Sequence, residues 1–295
     1  AFTLQRMGFI LTAILGIFLF PRLEIIGIAQ FIANVLGLGM AWIRVRRLLN
    51  ASDFTPNLSE LRTCIRELLH GSLRLWITRF GGFLIVKSNL LLVSAFIGLQ
   101  TAGSLALSMQ ALEAINLLSL TPLFSRLPRL YELRTLDFTQ EMKRCVGSVL
   151  LIAWITYCVG SICLVWQGAE LLEFLGSQST LLPTGSLLLL LVTGLLEMNH
   201  SLSGTLLLLD NRVPFMRASV LSGLIIVCLS TLVLSQTELG VLGALAVPFF
   251  IQLAYNNWKW PLEALRSLGT NYLELVRLGI SGELNAPRHR CNPDI

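Results

Sequence analysis

Charge is what this chain has least of. Only 13% of its 295 residues are Asp, Glu, Lys or Arg, roughly half the ~25% of an ordinary soluble domain. With a mean hydropathy of +0.72, that shortage argues against a water-soluble globule and for the bilayer as solvent. Histidine is scarcer still. His70, His200 and His289 are too scattered for a catalytic triad or a metal centre, and no HExxH, GxSxG or Walker loop occurs. No catalytic residue, metal ligand or cofactor is therefore nominated, and the chain is not read as an enzyme. The six cysteines never take CxxC spacing and mostly fall in apolar runs, which suits small buried hydrophobes better than a disulfide framework. No basic segment alternates with exposed aromatics, so nucleic acid is not an expected partner. The chain opens on Ala1 without a signal-peptide n-region, and it is expected to begin inside a longer protein.

Apolar runs are what the chain has in abundance. Eight can be drawn, most of them near the ~20 residues a helix needs to cross hydrocarbon: Met7–Phe20, Ile25–Ile43, Phe80–Ile97, Ala102–Phe124, Val146–Trp166, Leu181–Leu209, Pro214–Leu234 and Val241–Trp258. The expected fold is an all-α membrane protein, a polytopic bundle of about eight transmembrane helices. The net charge of +5 gathers in alternate connections, around residues 44–79, 126–144, 212–217 and after Lys259. By the positive-inside rule, both ends then lie in the cytoplasm. Within the first of these connections, Asn57 and Glu60 have capping-box spacing. Leu58, Leu61, Ile65, Leu68 and Leu69 share one face at helical period, which predicts an amphipathic helix on anionic headgroups. After Trp260, Leu262 to Leu278 form one weak amphipathic pattern. Residues 280–295 are polar and expected to be disordered.

Ionisable residues inside apolar runs carry the functional signal, because a charge at mid-membrane costs roughly 2.5–3.5 kcal/mol on insertion scales. Lys87 lies about 12 Å along a helix from Arg79. It either snorkels back to that edge, lines a cavity for an anionic substrate, or pairs with a neighbour. Polar neighbours flank the hairpin it belongs to: Ser88 and Asn89 on one span, Gln110 and Asn116 on the other. Glu113, mid-span, fits a proton or sodium site, since desolvation raises a carboxyl pKa; the alternative is an ion pair with Lys87 or another helix. Glu197 and His200 stand three residues apart and can touch on a helix, as a protonatable pair or as interhelical hydrogen bonds. Lys87, Asn89, Gln110 and Asn116 are thus candidates for the substrate cavity, and Glu113, Glu197 and His200 for ion coupling.

Four segments in order carry a family likeness. Gly98 to Leu107, reading GLQTAGSLAL, resembles the "GxxxAGxYxLA" turn that opens the C-terminal half of polysaccharide flippases, with Ser104 where an aromatic is usual. Pro122, followed by Pro128-Arg129-Leu130-Tyr131-Glu132-Leu133, resembles the family's "P…PxLxxL" exit. Asp210-Asn211-Arg212-Val213-Pro214 resembles a cytoplasmic turn, and Gly240-Val241-Leu242-Gly243-Ala244-Leu245-Ala246 the "GvxGaAlA" entry to a late helix. The chain is therefore similar to O-antigen-type flippases of the multidrug/oligosaccharidyl-lipid/polysaccharide exporter superfamily, from about Phe80 to Trp258. The resemblance implies the last two helices of an N-terminal bundle (1–50), an amphipathic linker (51–79), a six-helix C-terminal bundle (80–258) and a cytoplasmic tail (259–295). It also implies a bacterial inner-membrane flippase for undecaprenyl-diphosphate-linked oligosaccharide, with Lys87 as the cation for the diphosphate. Other polysaccharide assembly proteins are implied partners. A cation-coupled drug exporter of the same superfamily is the first alternative. A glycan polymerase or ligase is the second, although the large extracytoplasmic loop such enzymes need is not found.

Overall fold

The computed structural model describes residues 24–51, 58–177, 179–210 and 214–284. The expected first span, the cap residue Asn57, positions 211–213 of the expected turn and the tail from 285 lie outside them. Among the described residues every regular element is helical. The helices are α1 (Glu24–Ala51), α2 (Leu58–Val86), α3 (Ser88–Phe96), α4 (Leu99–Thr135), α5 (Thr139–Phe174), α6 (Thr184–Leu208), α7 (Met216–Gln236), α8 (Gly240–Ala254), α9 (Asn256–Leu268) and α10 (Tyr272–Leu284). The chain divides into two compact units, Ala1–Leu68 and Leu69–Ile295. In the first, α1 shows Phe31, Val35, Leu38 and Trp42 on its surface, a run of large apolar side chains suited to lipid.

In the second unit, Leu75–Phe96, Thr139–Phe174, Thr184–Leu208 and Met216–Gln236 are long and apolar enough to cross a membrane. The expected fourth span is helical throughout, inside α4. Gln110, Glu113, Asn116 and several hydroxyl residues dilute its hydropathy, so composition alone does not mark it as a span. The expected eighth span is split: α8 has 15 residues, about 22 Å of rise, and the chain then turns at Tyr255 into α9. Outward faces stay apolar, as with Ile155, Val159 and Ile162 on α5 or Leu221, Leu224 and Leu232 on α7. Cys158, Cys163 and Cys228 are exposed free thiols rather than buried ones, small apolar groups on surfaces that lipid can cover.

Backbone detail follows from a few residues. The turn between α3 and α4 is made at Gly98, whose φ of 128° is closed to residues with a Cβ. Pro122 and Pro128 lie inside α4, and Pro122 withholds a helical N–H. Thr121 Oγ1 donates to the Leu117 carbonyl at 2.7 Å in the same turn.

The segment expected to be a tail is part of the packed bundle. α9 packs on α6 and α10 on α5. Trp260, Ala264, Leu265, Leu268 and Leu275 are buried in the same core as Leu150 and Leu202. Residues 280–284, expected to be disordered, complete α10, because Leu275 and Gly279 give that helix a face that seats on α5. Lys143 of α5 anchors the join. It is 7% exposed, and its Nζ donates to the Gly269 carbonyl at 2.8 Å and reaches Glu274 Oε1 at 3.4 Å. A cation there complements the carbonyls at the C-terminus of α9. A hydrogen bond from Thr270, and then Lys143, holds the Glu274 carboxyl below its ordinary range.

Candidate functional site

Two helix irregularities border one cavity. The first is Lys87, which separates α2 from α3 inside the candidate span Leu75–Phe96. Its N–H still donates to the Phe83 carbonyl at 2.8 Å, and Ser88 Oγ turns back to the Leu84 carbonyl, a contact that tends to bend a helix. The second is Tyr255, at φ −142° and ψ −58°, which separates α8 from α9. Broken helices are tolerated at membrane depth where the freed groups meet protein or water.

The cavity between them has a volume of about 630 Å³ and is bordered by α2, α4, α6, α7, α8 and α9. Its polar lining includes Arg79, Lys87, Glu197, His200, Ser201, Gln252 and Asn256, with the hydroxyl residues Thr78, Thr205 and Ser219. Phe83, Phe124 and Phe215 supply much of the apolar wall.

A directed chain of hydrogen bonds forms one side. Trp260 Nε1–H donates to Asn256 Oδ1 at 3.0 Å. Asn256 Nδ2 donates to Gln252 Oε1 at 2.6 Å and to Ser222 Oγ at 2.9 Å. Gln252 Nε2 then donates to Glu197 Oε2 at 3.3 Å. The indole can only donate, so it fixes the orientation of Asn256, which fixes Gln252, which leaves Glu197 as the acceptor. His200 Nδ1 lies 3.2 Å from the Asn256 carbonyl. A carbonyl only accepts, so Nδ1 carries the hydrogen and Nε2 is left as the second polar atom of the ring. Gln252 and Asn256 are each 3% exposed, and a satisfied network of this kind rigidifies its surroundings.

The nominated residues divide accordingly. Lys87, Glu197 and His200 come together around the cavity. Glu113 does not line it; its carboxylate forms an ion pair with the Lys87 ammonium. Asn89, Gln110 and Asn116 are not among the lining residues either. Asn89 is two positions beyond Lys87, so it falls on nearly the opposite side of the turn, where Nδ2 donates to the Ala244 carbonyl at 2.9 Å and ties α3 to α8. α4 meets the cavity through Leu120 and Phe124, and Gln110 and Asn116 lie on other faces, Gln110 exposed and Asn116 half-buried. Sequence reasoning missed Arg79 as a lining residue, and with it Gln252, Asn256 and Trp260. The available signal was Gln252 within an apolar run, followed by Asn-Asn-Trp-Lys-Trp.

Fold and site together define an all-α, membrane-embedded protein with a largely apolar cavity that carries ionisable and amide side chains beside two helix breaks. No family model, characterised protein or solved structure matches the chain.

Proposed function

We propose that the protein is a flippase that moves undecaprenyl-diphosphate-linked oligosaccharide across a bacterial inner membrane by alternating access, for surface-polysaccharide synthesis. The cavity bordered by Lys87 and the Tyr255 break is the observation that carries this reading. Interrupted helices around a polar pocket within a bundle are a recurrent feature of transporter binding sites. Two cations, Arg79 and Lys87, suit a diphosphate headgroup, and the hydroxyl and amide groups of Ser201, Gln252 and Asn256 suit a sugar. A volume of about 630 Å³ is that of a small-molecule site, enough for a headgroup and its first sugars. Glu197 and His200, one helical turn apart, are the candidates for proton or sodium coupling. The ordered motifs between Phe80 and Trp258 add the family likeness.

The test is glycan export in cells that depend on the protein, with Arg79→Ala and Lys87→Ala introduced in turn. Each removes a charge-assisted contact worth about 1.5–3 kcal/mol, so export should fall roughly 10- to 100-fold. Undiminished export in both variants would refute the reading. The Glu197 carboxylate in the same cavity favours one competing reading, a cation-coupled drug exporter. Resistance to cationic dyes that disappears in Glu197→Gln, with glycan export intact, would put that reading in its place.

A further inference from the structure

Three ion pairs hold helices together in the described second unit, and one of them differs from the others. Lys143 is sheltered, with its side chain 9% exposed, and has two acceptors. The Arg134–Asp210 pair is 31% and 16% exposed. In the Lys87–Glu113 pair the two side chains are 43% and 54% exposed. Among the described residues each side chain makes this one polar contact, and the contact runs to one carboxylate oxygen. The partners also face different surroundings. Lys87 lines the cavity, whereas Glu113, across on α4, does not. Lys87 is thus joined on one side to a space that can admit a ligand and on the other to a carboxylate held by a single contact.

We propose that Glu113 is an exchangeable counter-ion, which a phosphate or diphosphate group entering the cavity displaces from Lys87. The proposal rests on the reading of this cavity as an anion site and adds how that site selects its ligand. A lone ammonium at mid-span is costly, and Glu113 offsets that cost until a stronger anion takes its place. A singly charged anion gains little by exchanging with a carboxylate already in contact. A diphosphate brings more charge and more acceptor oxygens than the group it replaces. Discrimination therefore arises from the competitor built into the protein, as a difference between two affinities. Glu113 weakens the binding of every anion and leaves net affinity chiefly for multiply charged ones.

Inorganic pyrophosphate is the probe, titrated calorimetrically into the whole chain in lipid nanodiscs, with circular dichroism as the check on folding. Glu113→Gln should tighten pyrophosphate binding roughly two- to fivefold, the scale of a half-exposed ion pair. Lys87→Ala should weaken binding, and Glu113→Gln added to it should then change nothing. Lys87→Arg should keep binding, which separates loss of charge from loss of fold. If Glu113→Gln leaves pyrophosphate affinity unchanged or lowers it, while Lys87→Ala still weakens it, counter-ion exchange is overturned and the anion-site reading survives. If pyrophosphate binds neither the unmodified chain nor Glu113→Gln, both fall. If the exchange pattern holds but Arg79→Ala and Lys87→Ala both leave cellular glycan export untouched, the exchange stands and the flippase reading falls.

Discussion

Gly147 sits where α10 crosses α5, and replacing it with alanine tests the packing of the C-terminal helices on the bundle. A Cβ built there would lie 2.1 Å from the Leu275 carbonyl oxygen and 3.0 Å from the Gly279 nitrogen. Ordinary contact needs well over 3 Å, so the helices must part by roughly 1 Å. The obstacle is helical backbone, and no rotamer change relieves it. Overpacking of this kind costs about 1–3 kcal/mol. Parting α10 from α5 also strains the Lys143 contacts with Gly269 and Glu274 and the packing of Trp154 on Tyr272, whose rings are 5.8 Å apart. Against this stands the gain of about 1 kcal/mol when a helical glycine becomes alanine. The clash with backbone and the strain on these contacts outweigh the gain, and Gly147→Ala should lose up to about 2 kcal/mol net. Gly103, also helical, has nothing within 4 Å of the point a Cβ would occupy, so Gly103→Ala should gain about 1 kcal/mol. Thermal unfolding of both variants in one detergent should move the midpoints in opposite directions. A Gly147→Ala midpoint at or above that of the unmodified protein would refute the close crossing.

Lys143→Met removes the cation that meets the Gly269 carbonyl, and the same melting assay should show a loss of about 1–3 kcal/mol from the acceptor left unpaired. The Glu274 carboxyl is held below its ordinary value of 4.5 by Thr270 and then Lys143. Its stabilising effect is therefore complete above that value and disappears as pH falls through the lower, folded-state value. The difference in melting midpoint between the unmodified protein and Glu274→Gln should accordingly be present at neutral pH and vanish in acid; a gap that does not change with pH would contradict the assignment. Trp260→Phe keeps most of the ring but removes the N–H that orients Asn256, and buried Asn256 Oδ1 then lacks its donor. Melting should report a loss of about 1–3 kcal/mol. Export should fall further in Trp260→Phe than in Phe215→Leu, which trims the same wall and the edge contact with Trp260 but removes no hydrogen-bonding group of the network.

Some of this site can be read directly along the chain. Lys87, Glu197 and His200 stand out because an ionisable residue in an apolar run has few alternatives to a protein-lined or wet surrounding. Gln252, Asn256 and Trp260 do not, because each has an ordinary use at the end of a span, and only the hydrogen-bond directions reveal a connected set. Asn89, Gln110 and Asn116 are equally conspicuous in the sequence yet lie away from the cavity. Helical period relates faces within one helix, but which face meets which neighbour depends on how the helices cross. The terminal segment shows the same limit. Leu262 to Leu278 give only a weak pattern, and the burial of Leu265, Leu268 and Leu275 among them depends on α6 and on the approach that Gly147 and Gly279 permit.

The sequence by itself determined the solvent and the class of fold, since low charge and repeated apolar runs leave only membrane helices able to satisfy their own backbones. It also marked which charges needed an explanation. Tertiary structure alone decided the pairing of Lys87 with Glu113, the joining of Glu197 to Trp260 through two amides, and the folding of the last helices into the bundle. Those outcomes turn on distances of a few ångströms between residues 26 to 132 positions apart, and such distances are set by helix crossings rather than by local composition.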